Sequence, residues 1–519
     1  MRGKLAIVCI LVIILSFSQL SAYADEVRTT GQYTYKLKGN GTITILNFDW
    51  KKNTGDVYIP SMIDGYTVTA VGDGAFADGR THSDKTVVVV LPATIATVGE
   101  KAFYNSCVSS INIPLSLQSI GKGAFAYCAI SQFSVEPGHG SFATIDGVLY
   151  NKKSKTLIAY PQAINVAAII PDGIVAIDDY AFSGITLGVS EFSNSSNAIQ
   201  FNDMIPSSVI RIGSYAFADC TIYYATEFDK TGNPLSKEAI LLPGGVNEIG
   251  DYAFYNCLFS KGFYDSPEPK EMIIGEKIIA VGNHAFDSCQ WFEGFAYILY
   301  LTRQTEMKQI GDYAFANSDV NSEALDMQKV VFDLPNAVAS IGKHAFESTH
   351  WVSVTSLKNV YSIGEYAFAN SSVYSTIQPN DYYLNEPYSL KIPGTLNTVE
   401  TGVYSSNIST GSNAIQVLEI GNGITHINSH AFSGLKNLRE VNLPDGLVFI
   451  GSQAFAKCSN LAVLKIPSSV TTIDEDAFDR TTITLNVENG SYAAFWAQEN
   501  GFGYKYSDII SDDTSWLDD

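Results

Sequence analysis

A short alternating segment followed by a tight turn recurs along most of the chain. Apolar residues at every second position are typical of a half-buried β-strand, and Ile111–Ile113 and Leu461–Ile466 both show this alternation. A proline ends each segment, because proline cannot donate to a sheet ladder. A Val-x-x-Ile-Gly stretch then carries the chain back toward the core, into a turn of the form Gly-x-x-Ala-Phe. The pattern predicts one short strand per repeat.

The spacing of the turn identifies the repeat class. The tightest spacings between turn phenylalanines are 22 and 23 residues, and Val403-Tyr404 fills one gap as a degenerate copy. A period of 20 to 29 residues with one strand per repeat is typical of leucine-rich repeats. We therefore expect a β-rich repeat solenoid: a right-handed coil of about 14 repeats with one short parallel strand per repeat, irregular inserts and terminal caps.

The turn phenylalanines are the predicted core. One repeat has too few apolar residues to bury its own face, so neighbouring repeats must stack and merge their apolar positions. Six of these phenylalanines are assigned to the structural core: Phe103, Phe125, Phe217, Phe254, Phe455 and Phe478.

The two ends of the chain differ from the repeats. Arg2 and Lys4 precede an apolar run and the ending Ala22-Tyr-Ala24, which predicts a secretory signal peptide cleaved after Ala24 and a secreted or surface location. The expected organisation is a signal peptide at 1–24, an N-terminal cap at 25–60, repeats at 61–485 with a hairpin insert near 133–161, a C-terminal cap at 486–507 with a short helix, and an acidic tail at 508–519.

Charge narrows the range of partners. The chain has 53 acidic and 32 basic residues, a formal charge of −21. Nucleic-acid binding needs clustered lysine and arginine, so this balance argues against a nucleic-acid partner. After the leader, the apolar runs Val87–Leu91 and Ile164–Ile170 are too short to cross a bilayer, so no membrane span is expected.

The cysteines follow the repeat. Besides Cys9 in the leader there are six, and Cys107 lies four residues after a turn phenylalanine. The other five lie three residues after one: Cys128, Cys220, Cys257, Cys289 and Cys458. This placement favours small buried residues of the repeat over a disulfide framework, although bridges between neighbouring repeats stay open as the alternative.

A search for catalytic or metal-binding motifs finds no convergent set. His426 and His430 form an H-x-x-x-H pair, but the segment lacks the glutamate of a zincin and is not helical. Asp474–Asp476 fits a solvated turn better than a carboxylate site. We expect no enzyme activity, no cofactor and no metal site.

The repeat consensus carries a resemblance. Ile-x-Ile-Pro-x-x-Val-x-x-Ile-Gly-x-x-Ala-Phe-x-x-Cys resembles the BspA-like leucine-rich-repeat family of secreted and surface antigens, from about Tyr58 to Val487. The resemblance implies an adhesin-like scaffold that binds an extracellular protein or glycan. Two other functions stay open: an architectural surface-layer or self-assembling protein and, with less support, a secreted enzyme or enzyme inhibitor.

Two surfaces could carry recognition. The outward positions of the strands, expected on the concave face, are Asn112, Asp333, Lys391, Glu419, Glu440, Asn442 and Lys465. Their chemistry is mixed, and a merely solvated sheet face is the alternative. Aromatic insertions between repeats offer Tyr223, Tyr224, Trp291, Tyr297, Tyr382 and Tyr383. The alternative is that these insertions pack on one another as extended strands.

Overall fold

The chain forms two units, Met1–Ile185 with Ile212–Ala218 and Thr186–Arg211 with Asp219–Asp519. The expected leader and acidic tail lie outside the residues that the structure describes. The computed structural model describes residues 26–79, 86–163, 169–187, 201–224, 238–242, 244–261, 271–291, 298–300, 306–320, 331–349, 351–353, 357, 359–374, 389–406 and 415–507.

The first unit begins with an antiparallel sheet and continues in parallel strands. Its described strands are β1 Val27–Thr30, β2 Tyr33–Leu37, β3 Thr42–Phe48, β4 Val57–Tyr58, β5 Met62–Ile63, β6 Tyr66–Val71, β7 Val87–Val90, β8 Thr97–Val98, β9 Val108–Ile113, β10 Ser119–Ile120, β11 Gln132–Val135, β12 Phe142–Ile145, β13 Val148–Asn151, β14 Thr156–Ala159 and β15 Ala176–Ile177. Strands β1, β2 and β3 pair antiparallel, and β3, β6, β8 and β10 then pair in parallel. A second parallel sheet has the order β11-β9-β7-β4.

A hairpin interrupts the repeats of the first unit. Strands β12, β13 and β14 pair antiparallel, and β14 then pairs in parallel with β15. Tyr160, directly after β14, stacks on Phe182 with ring centroids 4.6 Å apart. The end of the hairpin thus takes the place of a repeat, with a tyrosine at the phenylalanine position.

The second unit consists almost entirely of short strands. Its described elements, with β17 shared between the units, are β16 Thr186–Leu187, α1 Phe201–Met204, β17 Arg211–Ile212, β18 Thr221–Tyr224, β19 Glu238–Ile240, β20 Glu248–Ile249, β21 Leu258–Lys261, β22 Glu271–Ile273, β23 Ala280–Val281, β24 Gln290–Trp291, β25 Ile298–Tyr300, β26 Gln309–Ile310, β27 Asp319–Val320, β28 Val331–Asp333, β29 Ser340–Ile341, β30 Trp351–Ser353, β31 Ser362–Ile363, β32 Ser372–Tyr374, β33 Ser389–Ile392, β34 Thr398–Val399, β35 Val417–Ile420, β36 His426–Ile427, β37 Glu440–Asn442, β38 Phe449–Ile450, β39 Val463–Lys465, β40 Thr472–Ile473, β41 Thr484–Val487, α2 Tyr492–Glu499 and β42 Gly503–Tyr506.

Each repeat of the second unit contributes strands to separate parallel sheets. In the last repeats the main strands pair as β33-β35-β37 and β39-β41-β42, and the return strands as β34-β36-β38-β40. The return of the chain is therefore a second, two-residue strand in its own sheet. In the longer repeats before them, the main strands pair in the order β19-β22-β25-β28-β30-β32. These repeats add a third parallel sheet with the order β16-β18-β21-β24-β27.

The turn phenylalanines stack from repeat to repeat within each unit. In the first unit Phe103 lies 5.0 Å from Phe76 and 5.8 Å from Phe125, centroid to centroid. In the second, Tyr404 occupies the degenerate position, 5.4 Å from Phe368 and 5.7 Å from Phe432. The six phenylalanines assigned to the core are between 0 and 6% exposed. Near-parallel rings at this spacing supply the apolar contact between repeats.

In several repeats, the residue three positions after the phenylalanine donates a hydrogen bond across the stack. Cys128 Sγ donates to Phe103 O at 2.8 Å and Cys458 Sγ to Phe432 O at 3.2 Å. Ser318 Oγ makes the same bond to Phe286 O at 2.7 Å. Buried carbonyls need a partner, so a small side chain that can donate is favoured at this position. This preference explains why cysteine recurs there and why serine can replace it.

All six described cysteines are buried thiols. Burial raises the pKa of Cys458 to about 12, and it also raises the pKa of Cys257 and Cys289. A thiol with a raised pKa carries little thiolate at neutral pH, and the thiolate is the reactive form. These three cysteines are therefore unsuited to be nucleophiles.

Glycine before the turn allows the repeats to approach closely. A Cβ on Gly121 would lie 2.3 Å from Glu100 N, and one on Gly342 would lie 2.5 Å from Asp312 N. Both contacts are with backbone of the preceding repeat, so neither can be relieved by a side-chain rotation. The glycine of the consensus is thus a packing requirement between repeats.

Helix α2 covers the last strands. Ser491 caps it, because the Ser491 side chain accepts a hydrogen bond from Ala494 N at 3.2 Å. Trp496 and Phe502 contact Phe478 edge-on, at 6.1 and 6.2 Å between centroids. The phenylalanine stack therefore ends against a helix rather than in solvent.

Candidate functional site

The main strands of the last repeats present a charged outward surface, which we call the C-terminal strand face. Lys391, Glu419 and Asn442 lie side by side in register on β33, β35 and β37. All three side chains are exposed, and they alternate with buried Leu390 and Leu418. Lys391 Nζ lies 3.3 Å from Glu419 Oε2, with the two side chains 74% and 48% exposed.

Two more predicted residues belong to the same face. Glu440 lies on β37 and accepts a hydrogen bond at its Oε1 from Asn442 Nδ2, at 3.3 Å. Lys465 lies on β39, in register with Asn486 on β41, and Asn486 is in register with Lys505 on β42. Asn486 and Lys505 are not among the predicted residues, because they follow the last turn phenylalanine. The alternating Thr484–Val487 stretch is the signal that could have found them.

The other two predicted strand positions lie elsewhere. Asp333 is on β28, in register with Tyr300 and Ser353. Asn112 is half-buried in the first unit, where its Oδ1 accepts from Leu91 N at 2.7 Å and its Nδ2 donates to Leu91 O at 3.0 Å. The Asn112 amide therefore continues the hydrogen bonding of the sheet, a structural role that strand alternation does not reveal.

The predicted aromatic insertions are only partly described. Tyr223 is half-buried on β18, and Tyr224 ends that strand. Tyr297, Tyr382 and Tyr383 lie outside the described residues.

The expectation of an exposed ring at Trp291 is wrong. Trp291 is 0% exposed and stacks on Phe259 with centroids 4.1 Å apart. The reason is its place on β24, in register with Phe259 of β21, which is in register with buried Ile222 of β18. For the described parts, the insertions pack on one another as strands, which is the alternative considered from the sequence.

A stacked column of tyrosine and histidine rings runs along the turns of the second unit. The centroid distances are 4.4, 4.6, 4.5 and 5.1 Å, with ring planes within 15°, along the series Tyr252, His284, Tyr313, His344 and Tyr366. These rings come from the residue just before Ala-Phe, whose left-handed backbone is set by the turn (φ between 54 and 57°).

Carboxylates hold both imidazoles of the column. His284 Nδ1 lies 2.7 Å from Asp287 Oδ2, and His344 Nδ1 lies 2.7 Å from Glu347 Oε2. Burial, together with the negative charge of the neighbouring carboxylates, raises the pKa of Tyr313. From the sequence, these histidines are only variable turn positions. The stacking arises because repeats of unequal length still superpose their turns.

The described ranges contain no group of three or more histidine, cysteine or acidic side chains placed to hold a metal ion. Within those same ranges, no helix is both long and apolar enough to cross a membrane.

A family profile described as BspA type Leucine rich repeat region matches the chain. The matches cover residues 69–167, 187–322, 258–382, 324–410 and 405–495. The chain belongs to the BspA type leucine-rich-repeat family. Because the matches run from the first turn to the C-terminal helix, the BspA-type repeat accounts for most of the chain. No curated protein matches it.

Several solved structures are similar to this BspA-type chain. A leucine rich cell surface protein from Faecalibacterium prausnitzii is 18% identical, with 88% of this chain and 95% of that chain covered and a TM-score of 0.37. A leucine-rich repeat protein from Bacteroides ovatus is 17% identical, with coverages of 92% and 99% and a TM-score of 0.34. The pneumococcal vaccine antigen PcpA is 14% identical, with coverages of 94% and 100% and a TM-score of 0.35.

Proposed function

We propose that this BspA-type protein is a non-enzymatic binding scaffold, secreted or held at the cell surface, that engages an extracellular protein or glycan. Membership of the repeat family supports this role, as does the leader expected at residues 1–24. In this proposal the C-terminal strand face makes the contact, and the stacked core beneath it supplies rigidity.

The observation that carries the proposal is the register of exposed side chains on that face. The parallel ladder holds Lys391, Glu419 and Asn442 on adjacent strands, about 4.8 Å apart. Because the strands are fixed by buried residues, a partner meets these groups already ordered, which lowers the entropic cost of association. Opposite charges and an amide in one row suit a specific polar partner better than a nonspecific one.

A binding panel tests the proposal. The chain starting at Asp25 is assayed against extracellular-matrix proteins and a glycan array, together with the triple variant Glu419→Lys, Glu440→Lys and Lys465→Glu. We expect the wild type to bind at least one component, and the variant to lose about tenfold or more in affinity.

A matched control separates this face from general charge effects. Glu248→Lys, Lys308→Glu and Glu475→Lys make the same charge changes at exposed positions outside the face, and we expect this variant to keep its affinity. If the first triple variant kept the wild-type affinity, the binding site would instead lie in the insertions around Tyr223. No binding at all, with self-assembly of the chain, would favour an architectural protein instead.

A further inference from the structure

The end of the C-terminal strand face is basic, although the chain as a whole carries −21. Lys465, Asn486 and Lys505 lie in one register row across β39, β41 and β42. Both lysine side chains are exposed. With strands about 4.8 Å apart, the two lysine Cα atoms are separated by about 10 Å, with the asparagine between them. We call this row the lysine row.

The surface beside the lysine row is open. In the neighbouring row, Val463, Thr484 and Gly503 are aligned on the same three strands. Val463 is 44% exposed, and Gly503 has no side chain to cover its neighbours. A Cβ at Gly503 would meet only Thr484 Oγ1, at 3.6 Å. A ligand chain can therefore lie across the strands with the Thr484 hydroxyl and two ammonium groups beneath it.

These polar groups are not committed to structural contacts. Neither Lys465 nor Lys505 forms an ion pair with a described residue, whereas Lys391 on the same face pairs with Glu419. The Oδ1 atom of Asn486 is enclosed and accepts no hydrogen bond from the described part of the chain. The Oε1 atom of Glu440 on β37 accepts a hydrogen bond from Asn442 Nδ2, and Glu440 forms no ion pair with either lysine of the row. The two ammonium groups of the row therefore have no ion-pair partner among the described residues.

We propose that the lysine row binds an acidic polysaccharide, with the lysines contacting its carboxylate or sulfate groups. This inference rests on the binding function proposed above and names the partner class. Nucleic acid fits less well, because its dense phosphates call for many cationic contacts, whereas two lysines about 10 Å apart match sparser anions. The hydroxyl of Thr484 is suited to a sugar hydroxyl between those anions.

The experiment measures binding of the full exported chain to polygalacturonate, which carries carboxylates, to heparin, which also carries sulfates, and to uncharged dextran. The test variant is Lys465→Gln with Lys505→Gln. The matched control is Lys277→Gln with Lys308→Gln, which removes the same charge at two exposed lysines outside the C-terminal strand face. We expect the wild type to bind at least one polyanion and not dextran, and the test variant to lose about tenfold or more while the control stays within about twofold.

The inference would be overturned by unchanged polyanion binding by the test variant, by an equal loss in the control, or by binding to dextran as strong as to the polyanions. It would also be overturned by polyanion binding that appears only when residues 508–519 are removed. The last would mean that the chain's own aspartates occupy the lysines. A chain that binds an extracellular protein but no polyanion would overturn this inference and leave the proposed function standing. Thermal melts of both variants check folding, since exposed Lys→Gln changes alter stability little.

Discussion

The outward strand positions of the two units differ, although the positions beneath them are alike. In the first unit β4, β7, β9 and β11 carry no charged residue at the outward positions: Tyr58, Val88, Val90, Ser110, Asn112, Gln132 and Ser134. The C-terminal strand face of the second unit carries lysine and glutamate instead. Both sheets rest on fully buried aliphatic residues, such as Val89 and Ile111 in one and Leu390 and Leu418 in the other. Packing restricts the inward residues, so the outward residues can differ between regions without altering the frame.

The largest expected effect tests the shared frame. Phe103→Ala in the first unit and Phe455→Ala in the second should each lower the free energy of unfolding by about 3–5 kcal/mol, because each leaves a cavity in the stack. The wild-type rings are 0% and 2% exposed. Chemical denaturation of the two variants measures both losses. If one substitution left the free energy of unfolding unchanged, the ring in that unit would not be part of the core.

An intermediate effect sharpens the contrast between the two faces. Asn112→Ala should cost about 1–3 kcal/mol, because it removes the partners of both Leu91 N and Leu91 O. Asn442→Ala, at an exposed position of the C-terminal strand face, should change stability by no more than about 0.5 kcal/mol. Urea denaturation of the two variants compares them directly. Equal losses would mean that both asparagines have the same role.

The smallest expected effect concerns the ion pair of the C-terminal strand face. A double-mutant cycle of Lys391→Ala and Glu419→Ala should give a coupling energy of about 0.2–1 kcal/mol, since both side chains are largely exposed. The coupling should shrink as salt is added, because screening acts strongly on exposed charges. A coupling well above this range would indicate that the face is more enclosed than its exposure suggests.

Several residues show how much of the fold and of the C-terminal strand face can be predicted from the sequence. The repeat consensus led to the family and to the strands, because burial imposes a regular pattern on the chain. It also placed Lys391, Glu419, Glu440, Asn442 and Lys465 at outward positions. The burial of Trp291 was not predicted, because the sequence of an aromatic insertion has the same pattern whether its rings face solvent or belong to an added sheet.

The sequence alone determined the repeat period, the family, the strand in each repeat and the cysteine position, since each follows from local spacing and from what a buried turn can accept. The tertiary structure decided which side chains meet. Three features join residues of different repeats. They are the ring column from Tyr252 to Tyr366, the hydrogen bond from Leu91 N to Asn112 Oδ1, and the lysine row from Lys465 to Lys505. The repeats vary in length, so the register between them is set by packing of the stacked core and cannot be read from spacing along the chain.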